Sequence, residues 1–491
     1  MRRTLRWLGR KAGSLLTALL LVGIGFYLHF LWAGPDLKPW HRVRFAAEFT
    51  ASDYAEGRVT TLMQYREREQ LLLDQVRTDI KKHLAATDRL PYNRFNPGSL
   101  SDPNVWTFNW NRTFVLQPAG EANGGVLLLH GLTDSPYSLR SIGQALAARG
   151  YRVVGLRLPG HGVAPAGLLS FEVEDLEAAT RLAMRDLRAS LGESKPIHMI
   201  GYSNGAALAV SYALDARTDA TLPRPAGLVL ISPAVAISKL AAIGRVRTGL
   251  SDLQGFGRAA WQLIEAEVDP YKYQSFSFNA AGVTQRLTSR LTRRIAAIAS
   301  KGPVRDLPSI LAFVSTVDST VQVPAVIDSL LGRLAPDGHE LVVFDVNRLS
   351  VVQPMLIADP APLTRRLLAQ TQRPFTLTLI TNASDRTLQV AERRSPALGT
   401  ATTERPLDLA WPRNVFSLSH VALPFPPDDP LYGYAAPMTN RHVQLGRIEI
   451  RGENGVLNVP NWMLTRQRSN PFHSYLVARI ESFMAGASQN Q

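Results

Sequence analysis

The stretch Pro196-Ile197-His198-Met199-Ile200-Gly201-Tyr202-Ser203-Asn204-Gly205-Ala206-Ala207 constrains this chain more than any other. A short apolar run ends in Gly201-Tyr202-Ser203-Asn204-Gly205, and a small-residue helical stretch, Ala206 to Ala213, follows at once. The pattern predicts strand, sharp turn, helix, with a serine at the apex. Such a turn holds Ser203 in strained backbone geometry, so the positions two before and two after must be nearly free of side chain, and both are glycine. The strain aims the hydroxyl outward, and the new helix points its first N–H groups at the same spot. A tight turn with a spectator serine would show the same five residues. The β-rich run before it and the alanine-rich run after it favour a nucleophile.

The rest of the sequence supports a sheet around that turn. Thr113 to Leu116 is a strand candidate, and Gly125 to Leu129 is a continuous apolar run of the kind expected in a buried parallel strand. It ends in His130-Gly131-Leu132-Thr133-Asp134-Ser135-Pro136, before an amphipathic helix, Leu139 to Ala148. Strand Tyr151 to Leu156 leads to Leu158-Pro159-Gly160-His161-Gly162, helix Val173 to Leu191 precedes the serine strand, and Gly227 to Ile231 follows the serine helix. Strands alternating with helices at this spacing imply a mostly parallel sheet covered on both faces.

With these pieces in order, the chain resembles the α/β-hydrolases, in particular the bacterial carboxylesterase, monoacylglycerol lipase and lysophospholipase group, whose motifs serine aminopeptidases share. The resemblance rests on His130 to Pro136, on Pro159-Gly160-His161-Gly162 and on Gly201 to Gly205, and covers about 110–235 and 307–348. It implies an α/β-hydrolase fold, a mostly parallel sheet with helices on both faces and a helical cap insertion, and a serine hydrolase that acts on carboxylic esters. The backbone N–H groups of Leu132 and Asn204 would form its oxyanion hole. His130 and His161 would shape loops.

The chain order in this fold is nucleophile, acid, histidine. Ser309 to Ser315 reads as a strand and Asp318 follows its end, so Asp318 is the expected acid, with Asp345 as the alternative. No histidine stands at the family's usual distance, near Asn347-Arg348. His339 lies in range but at the opposite end of its strand from the site. His420, which closes Phe416-Ser417-Leu418-Ser419 and opens a Pro-rich loop, is the expected base, ahead of His473 and His442. That choice requires an insertion between the last core strands and the histidine loop.

The predicted organisation is a basic tail (1–13), a transmembrane anchor (14–33), a helical lead-in (34–110) and the first half of the core (111–235). A cap (236–306), the second half with the acid (307–348), the insertion (349–412) and a histidine loop with a C-terminal helix (413–491) complete it. The anchor is expected because Leu15 to Ala33 carries no formally charged residue and, as a helix, would reach roughly 28 Å. Arg2, Arg3, Arg6, Arg10 and Lys11 before it predict an inner-membrane, single-pass protein with its bulk on the extracytoplasmic side. The cap holds Arg286, Arg290, Arg293 and Arg294 between Leu287, Leu291, Ile295 and Ile298, a basic amphipathic helix that suits anionic lipid headgroups or a plain solvated face.

A formal charge of +14 raises nucleic acid as a partner, but no zinc-finger spacing or aromatic-interleaved basic motif supports it. The absence of cysteine excludes a thiolate nucleophile and cysteine-ligated metals. No cofactor and no metal are expected; the partners are a small-molecule or lipid ester and the membrane. Amide or peptide hydrolysis, and a catalytically silent envelope scaffold, are the competing readings.

Overall fold

The structure, a computed structural model, describes residues 17, 18, 21–23, 25, 35–235, 257–351, 359–399, 401–447 and 467–489. Its centre is a ten-stranded sheet in the order β1-β3-β2-β4-β5-β8-β9-β10-β11-β12. The strands are β1 (Phe114–Leu116), β2 (Gly124–Leu129), β3 (Tyr151–Leu156), β4 (Ile197–Tyr202), β5 (Gly227–Ile231), β8 (Ser309–Ser315), β9 (Glu340–Phe344), β10 (Thr376–Asn382), β11 (Gln389–Ser395) and β12 (Thr403–Ala410). From β3 to β10 every pairing is parallel, and β1, β11 and β12 run antiparallel at the two edges. A separate hairpin pairs β6 (Trp261–Leu263) with β7 (Phe276–Ser277).

The main helices are α1 (Leu62–His83), α2 (Arg140–Ala148), α3 (Val173–Leu191), α4 (Asn204–Ala216), α5 (Phe278–Ala299), α6 (Val323–Ser329), α7 (Ala361–Ala369) and α8 (His473–Gln489). They divide between the two faces of the sheet. Leu127 and Leu129 of β2 face a core shared with α3, α4 and α5, whereas Val126 and Leu128 face one shared with α2 and α8. With both faces covered, the central strands are predominantly apolar rather than alternating. β2, β4 and β5 are buried at every residue.

The lead-in packs against the core rather than standing off it. Phe49, Val59, Leu62 and Tyr65 join the larger core, and Leu72, Val76 and Ile80 of α1 pack with Trp40 and Leu84. Beneath them Arg157, just past β3, is fully buried. Its guanidinium donates to Glu48 at 2.8 and 3.0 Å and lies 3.3 Å from Glu69, while Glu69 also accepts from the N–H and hydroxyl of Thr113. Burial raises both carboxyls; at Glu48 the charge and hydrogen bonds of Arg157 win and hold it low, whereas at Glu69 burial wins and the carboxyl is raised. Removing the cation leaves two acids in the core. Arg157→Met is therefore expected to cost about 3–5 kcal/mol of folding stability, measured by urea denaturation.

The segment expected as an insertion continues the sheet. β10 pairs in parallel with β9, and β11 and β12 fold back as an antiparallel meander, so Leu377 and Leu379 extend the core. β12 is largely exposed, and Pro406 with alternating charges keeps this edge from pairing further.

Two expectations need correction. Among the described residues no helix is long and apolar enough to cross a membrane. A spanning helix needs about 20 consecutive apolar residues, and within 14–33 the described helical positions are only 17, 18, 21–23 and 25; the rest of the segment lies outside the described residues. The transmembrane helix is thus not part of the observed fold, and the inner-membrane, single-pass localisation derived from it falls with it.

Candidate active site

The C-terminal ends of the parallel strands converge on one edge of the sheet, where binding loops gather in open α/β sheets. Ser203 sits between the end of β4 and the start of α4 with φ 53° and ψ −113°. A Cβ on Gly201 would come within 2.4 Å of the Ala206 Cα, and one on Gly205 within 2.1 Å of the Leu129 carbonyl oxygen. Backbone contacts that close cannot relax, so glycine is required at both positions. The turn is fastened by the Ser203 N–H donating to Ile231 O at 2.9 Å and by Ala234 N–H donating to Ser203 O at 3.1 Å.

His420 opens a short 3-10 turn, and its Nε2 lies 3.0 Å from Ser203 Oγ. On the other side its Nδ1 lies 2.7 Å from Asp318 Oδ2. Asp318 and His420 are both buried. The second oxygen, Asp318 Oδ1, accepts the Thr320 and Val321 N–H groups at 2.8 Å each. Burial pushes the Asp318 carboxyl up, but the His420 hydrogen bond and charge and these two backbone donors outweigh it and hold it below the ordinary value. An ionised carboxylate only accepts, so the His420 proton resides on Nδ1 and the Nε2 lone pair faces the serine hydroxyl.

The loop after β2 supplies the other side. Thr133 adopts φ 66°, and His130 bonds Gly131 O through Nδ1 at 2.9 Å while its Nε2 accepts the Leu158 N–H at 3.0 Å. Both ring nitrogens are thereby used within the loops, and burial with the nearby His161 lowers its pKa well below the usual histidine range. Leu132 follows on this loop and Asn204 begins α4; among the described residues neither backbone N–H donates to a protein acceptor.

The remaining candidates are engaged elsewhere. Asp345 takes Arg348 through two hydrogen bonds, at 2.8 and 2.9 Å, and Thr381 at 3.0 Å. His339 precedes β9, at the far end of the sheet from Asp318, and accepts from Ile310 N–H at 3.1 Å. His442 stacks on Trp106 at 4.0 Å, and burial lowers His473, at the start of α8, to about 4. The arginines of α5 turn towards acids: Arg286 meets Glu172, Arg290 meets Glu174 and Arg294 meets Asp215 at 2.5, 2.6 and 2.8 Å. These exposed pairs contribute little to stability, but they use three of the four cations that sequence offered for lipid headgroups.

Several polar residues near the site carried no signal in the sequence. Residues 264–276 form a strap across the loop that follows β2: Tyr273 N–H donates to Thr133 O at 2.9 Å and Lys272 Nζ to Asp134 Oδ1 at 3.0 Å. The strap is braced by Glu267, whose carboxyl oxygens accept the Ser275 and Gln274 N–H groups at 2.9 and 3.2 Å. Burial pushes Glu267 from 4.5 to about 7, with Arg94 and the backbone donors offsetting only part. Between those values the unfolded chain has released the proton and the native one has kept it, so stability falls as pH rises through this window. Urea unfolding of Glu267→Gln beside the unaltered chain is expected to show the latter losing about 3 kcal/mol relative to the variant between pH 4.5 and 7. Equal pH slopes would contradict this.

Among the described residues no group of three or more His, Asp or Glu side chains is arranged to hold a metal ion. Residues 125–247 match a family model described as the alpha/beta hydrolase fold. Over 136 residues the chain is 34% identical to a thermostable monoacylglycerol lipase from Bacillus sp. (strain H-257), a match that covers 26% of this chain and 48% of that protein. The chain thus spans about half the length of the curated relative it matches. Among solved structures, a soluble variant of monoglyceride lipase from Saccharomyces cerevisiae is 14% identical over 48% of this chain and 82% of its own, with a TM-score of 0.37. Paleococcus ferrophilus monoacylglycerol lipase is 19% identical over 48% and 88%, with a TM-score of 0.36.

Proposed function

We propose that this chain, an α/β-hydrolase of the lipase and esterase type, cleaves carboxylic esters through an acyl-enzyme on Ser203. The observation that carries the reading is the unbroken hydrogen-bond chain from Asp318 through His420 to Ser203 Oγ, at 2.7 and 3.0 Å. His420 Nε2 takes the hydroxyl proton as Oγ attacks the ester carbonyl, and Asp318 stabilises the imidazolium that forms. The oxyanion is met by the Leu132 and Asn204 N–H groups; loss of one such donor typically costs about 3 kcal/mol of transition-state stabilisation. The imidazolium returns its proton to the departing alcohol, and a water activated by the same nitrogen then releases the acid and regenerates the serine.

Lipid-derived acyl esters are the substrate class favoured here, because the curated relative is a monoacylglycerol lipase. Steady-state hydrolysis of p-nitrophenyl esters of graded acyl length, run beside aminoacyl-nitroanilides, tests this. Turnover of the esters with little of the anilides is expected. Preference for the anilides would make the chain an amidase, and no turnover together with no labelling by a fluorophosphonate would make it a scaffold.

A further inference from the structure

The two loops that must cooperate at Ser203 are joined to each other by a buried polar network that touches none of the reacting atoms. One loop carries Leu132, and the other begins at His420. Asp429 lies nine residues beyond His420 and is buried. Its Oδ1 accepts the Tyr137 hydroxyl at 2.8 Å and the Leu431 and Tyr432 N–H groups at 2.9 Å, and its Oδ2 accepts Arg140 Nη2 at 2.8 Å. Tyr137 and Arg140 belong to the turn and helix that leave the Leu132 loop directly.

A second arm closes the ring. The Tyr432 hydroxyl donates to Asp269 Oδ2 at 2.6 Å, and Asp269 Oδ1 accepts the Tyr271 and Lys272 N–H groups at 2.9 and 3.1 Å. From there Lys272 reaches Asp134 and Tyr273 reaches Thr133, the two residues that follow Leu132. Tyr137 and Tyr271 stack at 4.2 Å with their rings 7° apart, so both arms share one aromatic wall.

We propose that Asp269 and Asp429 are positioning residues that hold the Leu132 loop in register with the His420 loop, so that oxyanion donor and general base act on one carbonyl. The proposal rests on the ester-hydrolase reading above. Neither loop has an α-helix or strand to fix it at the point of use, His420 having only a single 3-10 turn, and catalytic groups must be held to within about half an ångström. Apolar packing is non-directional, whereas each hydrogen bond here fixes a distance and an angle. Asp134 pairs with Lys272 and Asp429 with Arg140, and the charges of Arg94 and Arg468 act on Asp269, yet buried ion pairs are a poor device for stability alone, because desolvating charges offsets what their pairing contributes.

The test removes single tethers. Tyr432→Phe keeps the ring and deletes only the bond to Asp269, and Lys272→Met deletes the bond to Asp134. Tyr475→Phe serves as control, since it removes a comparable buried bond from a tyrosine hydroxyl to Glu392 away from the site. Expected are a fall in kcat of about tenfold for Tyr432→Phe and about fivefold for Lys272→Met, with KM within twofold. Phosphonylation of Ser203 by a fluorophosphonate should slow in parallel, while the control keeps its kcat whatever its thermal midpoint does. If either tether variant retains kcat within twofold, or Tyr475→Phe loses as much, the network only stabilises the fold and the proposal is overturned. Absence of ester turnover and of Ser203 labelling in the unaltered chain is a separate result, which removes the hydrolase reading itself.

Discussion

Ser203→Ala is expected to lower kcat for the best p-nitrophenyl ester by about 10⁵-fold and to abolish fluorophosphonate labelling, with little change in folding stability. The reasoning is local. The serine hydroxyl bonds His420 Nε2, whereas the strained turn is held by its backbone N–H and carbonyl, which alanine keeps. The alanine inherits φ 53°, a conformation already imposed by close packing of Gly201 and Gly205. Active-site titration of the unaltered enzyme must exclude contamination, because at this depth a trace of host esterase dominates the measured rate. Retention of turnover by the variant would remove Ser203, and the acyl-enzyme with it, from the mechanism.

Asp318→Asn is expected to lower kcat by about 10⁴-fold with KM nearly unchanged. The Thr320 and Val321 N–H groups both point at Oδ1, so the asparagine carbonyl must occupy that position and its amide nitrogen must replace Oδ2. An NH₂ facing His420 Nδ1 donates instead of accepting. The ring is then forced to carry its proton on Nε2, against the serine hydroxyl it should deprotonate. The variant stays folded because its backbone bonds persist, and the loss appears in kcat because substrate binding is untouched. A drop of tenfold or less would show that Asp318 merely orients the ring, with another group fixing the tautomer.

The parts of this site legible in the sequence were those where backbone strain or strand periodicity leaves a trace. Gly201 and Gly205 announce the turn because no other residue fits, and the apolar run of β2 announces a strand buried on both faces. His420 could be placed only by chain order and by elimination, because the strands between it and Asp318 set its position and a histidine in a Pro-rich loop has no periodic signature. The bracing residues were invisible. Asp269, Asp429 and Tyr432 sit in irregular segments where polar residues are commonplace, and only tertiary contact turns them into a network. The same applies to Arg157, which reads as a surface arginine until Glu48 and Glu69 close over it. The basic face of α5 left two readings open in the sequence, since its pairing acids lie more than a hundred residues upstream or near the end of α4 and only the fold brings them together.

The long reach between the three central side chains has a further consequence. Asp318 and His420 are 102 residues apart, with β9 to β12 between them, and Ser203 and His420 are 217 apart, with β5 to β12 between them. Pairings so remote along a chain form late and slowly when a polypeptide collapses. Under the proposed mechanism Ser203 would become reactive only after the carboxyl-terminal half has docked, long after its own turn can exist. Susceptibility to a phosphonate probe would then act as a clock for maturation of the whole molecule, reading zero on every partly assembled species that tryptophan fluorescence already counts as compact.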